Sequence, residues 1–505
     1  MKSIYALLFL CLFSFCKSPQ PKQINIDELT ISEIHQAFQN GDFSAEDLVE
    51  AYLSRIEALD SSLNSISITN PEALATAKKL DAEFSKTRKL RPLHGIPLIV
   101  KDNINTSGLP TTAGALALAD FYPTSDAFII QKLVDAGAII LAKSNMAEWA
   151  FSPMHSESST QGTTRNPYNL DHVPAGSSGG TGASIAANFG TIGLGTDTGN
   201  SIRGPSSHNA LVGFRTTLGL VSREGIVPLY LRNDVVGPMC RTVEDATKVL
   251  QAISGIDPKD PITHYSQGKA STNYTQFLKK DGMKGARIGV FRTLSEKDTD
   301  PEISALFNQS LKDMAMLGAV IIDSVEVENF DSLRRNQWCP VFRADLEKFL
   351  ADYVKRDTMK TIRDVIRVGT TSEYARKGLE SFVDSSLPEN PEINCGDAFT
   401  DLKRIAFREA IEKVMDSLKL DALVYPSWNN KPAQIDRFQE EYLGDNSQLI
   451  APHTGQPAFT VPMGFTSGNL PAGLQFLGKM WTEPTLIRLV YSYEQGTKHR
   501  KAPVF

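Results

Sequence analysis

Cysteine is scarce in this chain of 505 residues, and its placement excludes as much as its number. Cys11 and Cys16 fall in a short N-terminal apolar stretch, which leaves Cys240, Cys339 and Cys395 far apart; so odd and scattered a set is not expected to form a disulfide framework. Metal-ligand spacing is lacking as well, with no CxxC, no HExxH and the histidines dispersed, so neither a metal nor a cofactor is expected. There is no excess of basic charge. The net charge is -6, and no stretch interleaves Lys and Arg with aromatics, which argues against nucleic acid as a partner. No apolar run is long enough to span a bilayer as a stable helix.

What remains is an ordinary globular composition, 41% hydrophobic and 22% charged, in a chain long enough to bury a large core. The N-terminus departs from it. Lys2 precedes an apolar run from Ile4 to Phe15, followed by the polar turn Cys16-Lys17-Ser18-Pro19, which is the pattern of a secretory signal over residues 1–16. Two kinds of processing fit: cleavage before Lys17, or lipidation of Cys16 as the first residue of a bacterial lipoprotein. Either places the mature protein outside the cytoplasm, in the cell envelope or periplasm, with Cys16 the candidate lipid anchor to the membrane. The sequence leaves the oligomeric state open.

Beyond the leader, Ser44 and Asp47 form a capping-box pair ahead of Leu48, Val49, Tyr52, Leu53 and Ile56, whose spacing predicts an amphipathic helix. A second helix is expected over residues 74–84, then a strand over 96–100, a helix over 127–136 closed by Gly137, and a strand over 138–142. Strand, helix, strand implies an α/β core. From 176 to 225 the chain is rich in Gly, Ser and Thr, yet Ile185, Ile192, Leu194, Ile202, Leu211, Val212 and Phe214 supply core anchors, so packed loops are expected around a helix over 183–189. Residues 260–420 read as polar and helical, a variable insertion facing the substrate. Strand character returns at 422–425, 459–461 and 473–477, and a helix over 485–496 closes the chain.

The chemistry-bearing residues are Ser177 and Ser201, each embedded in glycines, and Lys101 at the end of an expected buried strand. Glycines let backbone amides approach a substrate closely, which is how main-chain donors build an oxyanion hole. A lysine serves as a general base only when neutral, and desolvation lowers its pKa in that direction. These residue types suit nucleophilic acyl transfer.

Three motifs, Gly95-Ile-Pro-Leu-Ile-Val-Lys101-Asp-Asn, Ala175-Gly-Ser-Ser-Gly-Gly180 and Gly195-Thr-Asp-Thr-Gly-Asn-Ser201-Ile-Arg203, together resemble the amidase signature family. The resemblance continues through Gly219-Leu-Val-Ser-Arg-Glu-Gly225, Arg241-Thr-Val-Glu-Asp-Ala246, Asp421-Ala-Leu-Val-Tyr-Pro426 and Gly455-Gln-Pro-Ala-Phe-Thr-Val-Pro-Met-Gly464. It covers roughly residues 27–250 and 420–500 and implies one large amidase domain over about 27–500, with a mixed central sheet surrounded by helices and a signature core over about 85–250.

The implied activity is hydrolysis of a linear carboxamide C–N bond. Lys101, Ser177 in a cis-peptide conformation, and the nucleophile Ser201 form the implied triad, with the oxyanion held by backbone amides of Thr198, Gly199 and Asn200. The resemblance further gives Asp197 and Arg203 as supports, more an ion pair than reacting groups, and Ser178 as a residue that positions the lysine. His208 and His453 read as packing or pocket-lining residues.

The chain departs from the family pattern beside the nucleophile. Asn200 stands where a glycine is usual, Gly204 replaces a bulkier apolar residue, Ser206-Ser207-His208 replaces small and aromatic residues, and Arg215-Thr216 replaces a Lys-Pro pair. Three rival readings stand beside the amidase. Gly176-Ser-Ser-Gly-Gly180 also satisfies the G-x-S-x-G nucleophile elbow, which would make Ser178 the nucleophile and draft His453 or His499. Some family members belong to amidotransferases that work with partner proteins on charged tRNA, a role an exported chain would not meet. The third is an envelope lipoprotein that keeps the fold without activity.

Overall fold

The computed structural model describes residues 24–388 and 394–505. The leader, with Cys11 and Cys16, lies outside the described residues. The Ser44 side chain accepts from the Asp47 amide at the start of α2 (Ala45–Leu63), and Asp47 caps back, as the pattern predicts. This helix follows α1 (Ile31–Asn40) and precedes α3 (Ala73–Thr87) and α4 (Phe128–Asp135). Leu48, Val49, Tyr52 and Ile56 are buried, so the apolar stripe is what docks α2 on the core.

The strands run in chain order as β1 (Ile66–Thr69), β2 (Pro97–Lys101), β3 (Ile139–Ser144), β4 (Glu157–Ser158), β5 (Gly162–Thr163), β6 (Ile192–Asp197) and β7 (Val212–Arg215). They continue as β8 (Val235–Cys240), β9 (Arg287–Val290), β10 (Val320–Asp323), β11 (Ala422–Pro426), β12 (Ala458–Thr466) and β13 (Leu470–Leu477). Eleven of them form one mixed sheet in the order β1-β3-β2-β6-β8-β7-β12-β13-β11-β9-β10, and β4 and β5 pair apart as a small hairpin. Within the sheet β2 runs parallel to β3 and to β6, while β6 is antiparallel to β8. Every residue of β2 is buried, as expected of a strand covered on both faces. One sheet carrying strands from both ends of the chain makes a single α/β domain.

Two expectations are corrected. Residues 260–420 are not purely helical: β9 and β10 lie in that stretch and extend the central sheet at one edge, pairing parallel with each other and, through β9, with β11. Cys339 and Cys395, 56 residues apart in sequence, are bonded with their Cα atoms 5.8 Å apart, so the scattered cysteines do contain one cross-link. Spacing did not reveal it because folding of the intervening helices is what brings the two segments together. Cys240 is free and buried.

Candidate active site

The parallel strands β2, β3 and β6 end on the same side of the sheet, where open α/β sheets place their ligand crevices. Lys101 is the last residue of β2 and lies beside Ser144 of β3. Its ammonium group is fully buried and reaches two hydroxyls, Ser177 Oγ at 2.7 Å and Thr196 Oγ1 at 2.8 Å. Burial pushes the Lys101 pKa down to about 7, against the opposing pull of Asp197 and Asp234. A lysine at that value is partly neutral near pH 7, as a general base requires.

Ser177 precedes α5 (Gly179–Ala186), which begins four residues before the expected helix start, directly at the two glycines. The Gly176–Ser177 peptide is cis, as the resemblance implied. Glycine is required here by crowding: a Cβ at Gly176 would sit 2.3 Å from His155 O, and one at Gly180 would sit 2.1 Å from Asn145 O. The backbone of the serine loop therefore lies against the segment after β3, held also by Ser156 Oγ, which donates to Ala175 O at 3.0 Å and accepts from Gly179 N at 3.0 Å. Among the described residues no hydrogen bond joins Ser178 to Lys101. As the residue flanking α5 it faces β6, and its hydroxyl donates to the backbone oxygen of Thr196 at 3.3 Å. Thr196 itself is the lysine's second partner, a residue inside the quoted motif that reading by serines and glycines passed over.

Ser201 follows the end of β6 and lines a cavity of about 490 Å³ together with Thr198, Gly199 and Asn200. Its hydroxyl donates to Asn200 Oδ1 at 3.5 Å, and among the described residues no hydrogen bond joins it to Ser177. The Asn200 side chain in turn donates to Pro153 O at 3.3 Å. Gly204 accounts for the asparagine: a Cβ there would lie 2.5 Å from Asn200 Nδ2 and 3.1 Å from the Trp428 ring. The two departures from the family pattern are one steric arrangement.

Behind the loop sits a buried charge cluster. Arg203 Nε donates to Asp197 Oδ2 at 3.1 Å, Arg203 Nη2 to Gly199 O at 2.6 Å, and Arg215 Nη1 to Asp197 Oδ1 at 2.8 Å. Burial alone would raise the Asp197 carboxyl, but the two guanidinium groups outweigh it and hold the pKa down to about 2. Asp197 and Arg203 thus form the ion pair expected, with Arg215 as an unforeseen third member. The Thr198 hydroxyl donates to Asp234, whose carboxylate also accepts from Leu229 N at 3.0 Å and Tyr230 N at 3.2 Å. Asp234 therefore ties the loop beside the nucleophile to the cavity wall.

That wall is aromatic, formed by Phe151, Tyr230, Trp338, Tyr374 and Phe382, and Gln448 lines the same cavity. Three of the five rings come from the stretch that sequence reasoning gave a substrate-facing role without naming residues. His453 packs edge-on against Trp338 at 4.6 Å, and the His208 ring lies 4.7 Å from Trp428, the packing roles expected of them. His499 pairs with Asp313 at 3.4 Å. Among the described residues neither drafted histidine hydrogen-bonds to Ser178, which is itself fully buried, so the nucleophile-elbow reading lacks its base there.

The fold and this lysine–serine site define an amidohydrolase acting on C–N bonds. The amidase family model matches residues 47–487, and the chain belongs to that family. It is 34% identical to a probable amidase of Arabidopsis thaliana over 502 residues, covering 95% of this chain and 92% of the relative. The solved structure of native peptide amidase from Stenotrophomonas maltophilia is similar with a TM-score of 0.85 and 34% identity, over 95% of this chain and 99% of that one. A glutamyl-tRNA(Gln) amidotransferase subunit of Microcystis aeruginosa is also 34% identical, over 94% of this chain and 99% of its own length.

Proposed function

We propose that the chain hydrolyses peptide amides or similarly bulky carboxamides through an acyl-Ser201 intermediate, with Lys101 and Ser177 as the proton relay. The observation that carries this reading is the buried 2.7 Å hydrogen bond from Lys101 to Ser177, in a chain whose Ser201 lines a cavity. Neutral Lys101 takes the Ser177 proton as Ser177 takes that of Ser201, and Ser201 Oγ attacks the amide carbonyl. The Ser201 hydroxyl first turns from Asn200 to Ser177, an adjustment of the kind that substrate binding brings to a resting site.

The oxyanion is received by the backbone amides of the Thr198–Ser201 loop. No hydrogen bond within the described residues takes up the N–H groups of Gly199, Asn200 or Ser201, which supports that assignment. The relay then runs backward, protonating the departing nitrogen so that ammonia or an amine leaves. Water cleaves the acyl-serine by the same route, restoring Ser201 and releasing the carboxylate.

Substrate bulk is argued from the aromatic wall and from the likeness to a peptide amidase. Export follows from the leader, by cleavage before Lys17 or lipidation at Cys16, and the Cys339–Cys395 cross-link suits an oxidising compartment. The test is a panel of short aliphatic, aryl and peptide C-terminal amides, assayed with the protein and its Ser201→Ala variant. Hydrolysis of the bulky amides by the parent alone is expected. Equal rates for parent and variant on every amide would remove the reading, and glutamine hydrolysis seen only with an added amidotransferase partner would replace it.

A further inference from the structure

Gln448 lines the cavity near Trp338, both within 3.4 Å of the position a Cβ on Gly199 would take, and its amide group is oriented by its partners. Its Nε2 donates to Asp445 Oδ2 at 2.9 Å, and the other oxygen of that buried carboxyl accepts from Ser447 N at 3.0 Å. Burial raises the Asp445 carboxyl to about 7, so above that pH it is a carboxylate that only accepts; the N–H₂ end of Gln448 is then committed to it and the carbonyl end turns the other way. That other way is the nucleophile loop: a Cβ on Gly199 would sit 3.2 Å from Gln448 Oε1. Gly199 is two residues from Ser201, and its bare Cα is what admits the glutamine so close.

An acceptor held at this place has one obvious complement. The carbonyl oxygen of a substrate is taken by N–H donors of the loop, so it has no use for a second acceptor. What the acceptor fits is the N–H of the scissile amide itself. Resting on the acyl-Ser201 reading above, we propose that Gln448 Oε1 accepts a hydrogen bond from the nitrogen of the bond to be cleaved, with Asp445 as its positioning residue. Gln448 then selects amides over the corresponding esters, whose leaving oxygen has no hydrogen to give. A site that loses such an acceptor loses the preference and keeps the serine chemistry.

The experiment compares a peptide C-terminal carboxamide with the methyl ester of the same peptide, using the full chain and its Gln448→Leu variant. The ratio kcat/KM is the quantity to read, because it reports acylation from free enzyme and substrate. The expected result is a fall of about tenfold or more in the carboxamide-to-ester ratio of kcat/KM, the worth of one hydrogen bond. Circular dichroism and thermal unfolding are the control for folding, and Gln448→Met is assayed in the same way should Gln448→Leu not fold. An equal loss on both substrates, or no loss on either, overturns the proposal. A parent protein that cleaves neither substrate would overturn the acyl-serine reading and this inference with it, whereas a parent that cleaves both while the variant keeps the same amide-to-ester ratio overturns the inference alone.

Discussion

At the residue scale, Lys101 joins a cost in stability to a gain in function. The folded chain releases its proton near pH 7, while the unfolded chain releases it only in the ordinary lysine range. Between those values the unfolded state binds more protons, so the contribution of this lysine to stability rises with pH across that window. Replacement by methionine removes the titration. Calorimetry of Lys101→Met between pH 7 and 9.5 is expected to show a flatter rise of Tm with pH than the parent. Its kcat/KM, which in the parent climbs through about pH 7, is expected to fall by roughly 10²–10⁴. A parent rate that is flat across pH 7 would count against the lysine as base.

Asn200 and Gly204 make a second test at this scale. Gly204→Val pushes a methyl group into Asn200 Nδ2 and Trp428, and overpacking of this kind costs about 1–3 kcal/mol. Adding Asn200→Gly removes one of the two clashes. Denaturant unfolding is expected to show the double variant more stable than the sum of the single changes, since residues in contact do not add. Strict additivity would mean that the two positions are not coupled through space. The sequence revealed both departures, but only the distances turn them into one feature.

At the scale of elements, most of what builds the site was legible. The buried run before Lys101 reads as a strand because every position is apolar and branched or proline, and β2 is that strand. The capping box at Ser44 and the helices after it were likewise legible, since they depend on neighbours three or four residues away. The start of α5 was misplaced because glycines are poor helix formers by propensity, and here tertiary crowding against His155 and Asn145 overrides it.

The Cys339–Cys395 bond and the strands β9 and β10 were not legible, because both are set by contacts between distant segments. Trp338, next to Cys339, lies 3.4 Å from the position a Cβ on Gly199 would take. Cys339→Ser is therefore expected to cost about 2–4 kcal/mol in chemical denaturation. It should also raise KM for bulky amides more than it lowers kcat; an unchanged KM would separate the cross-link from the cavity.

At the scale of the molecule, one eleven-stranded sheet gathers Lys101, Thr196 and the serine loops at the ends of neighbouring parallel strands, while the helix Glu373–Phe382 and loops carrying Phe151, Tyr230 and Trp338 supply the rings that shape the cavity. Reaction and specificity thus come from different parts of one domain. The family was legible from three motifs in order, whereas the wall of the cavity was not, because its aromatics are dispersed between Phe151 and Phe382 with no periodicity to mark them.

The central claim is that Ser201 is the nucleophile and Ser178 is not. A serine-directed fluorophosphonate followed by peptide mapping in a mass spectrometer tests it most directly: the adduct is expected on Ser201 and absent from the Ser201→Ala variant. An adduct on Ser178 that survives Ser201→Ala, or none on either serine in folded protein, would contradict it.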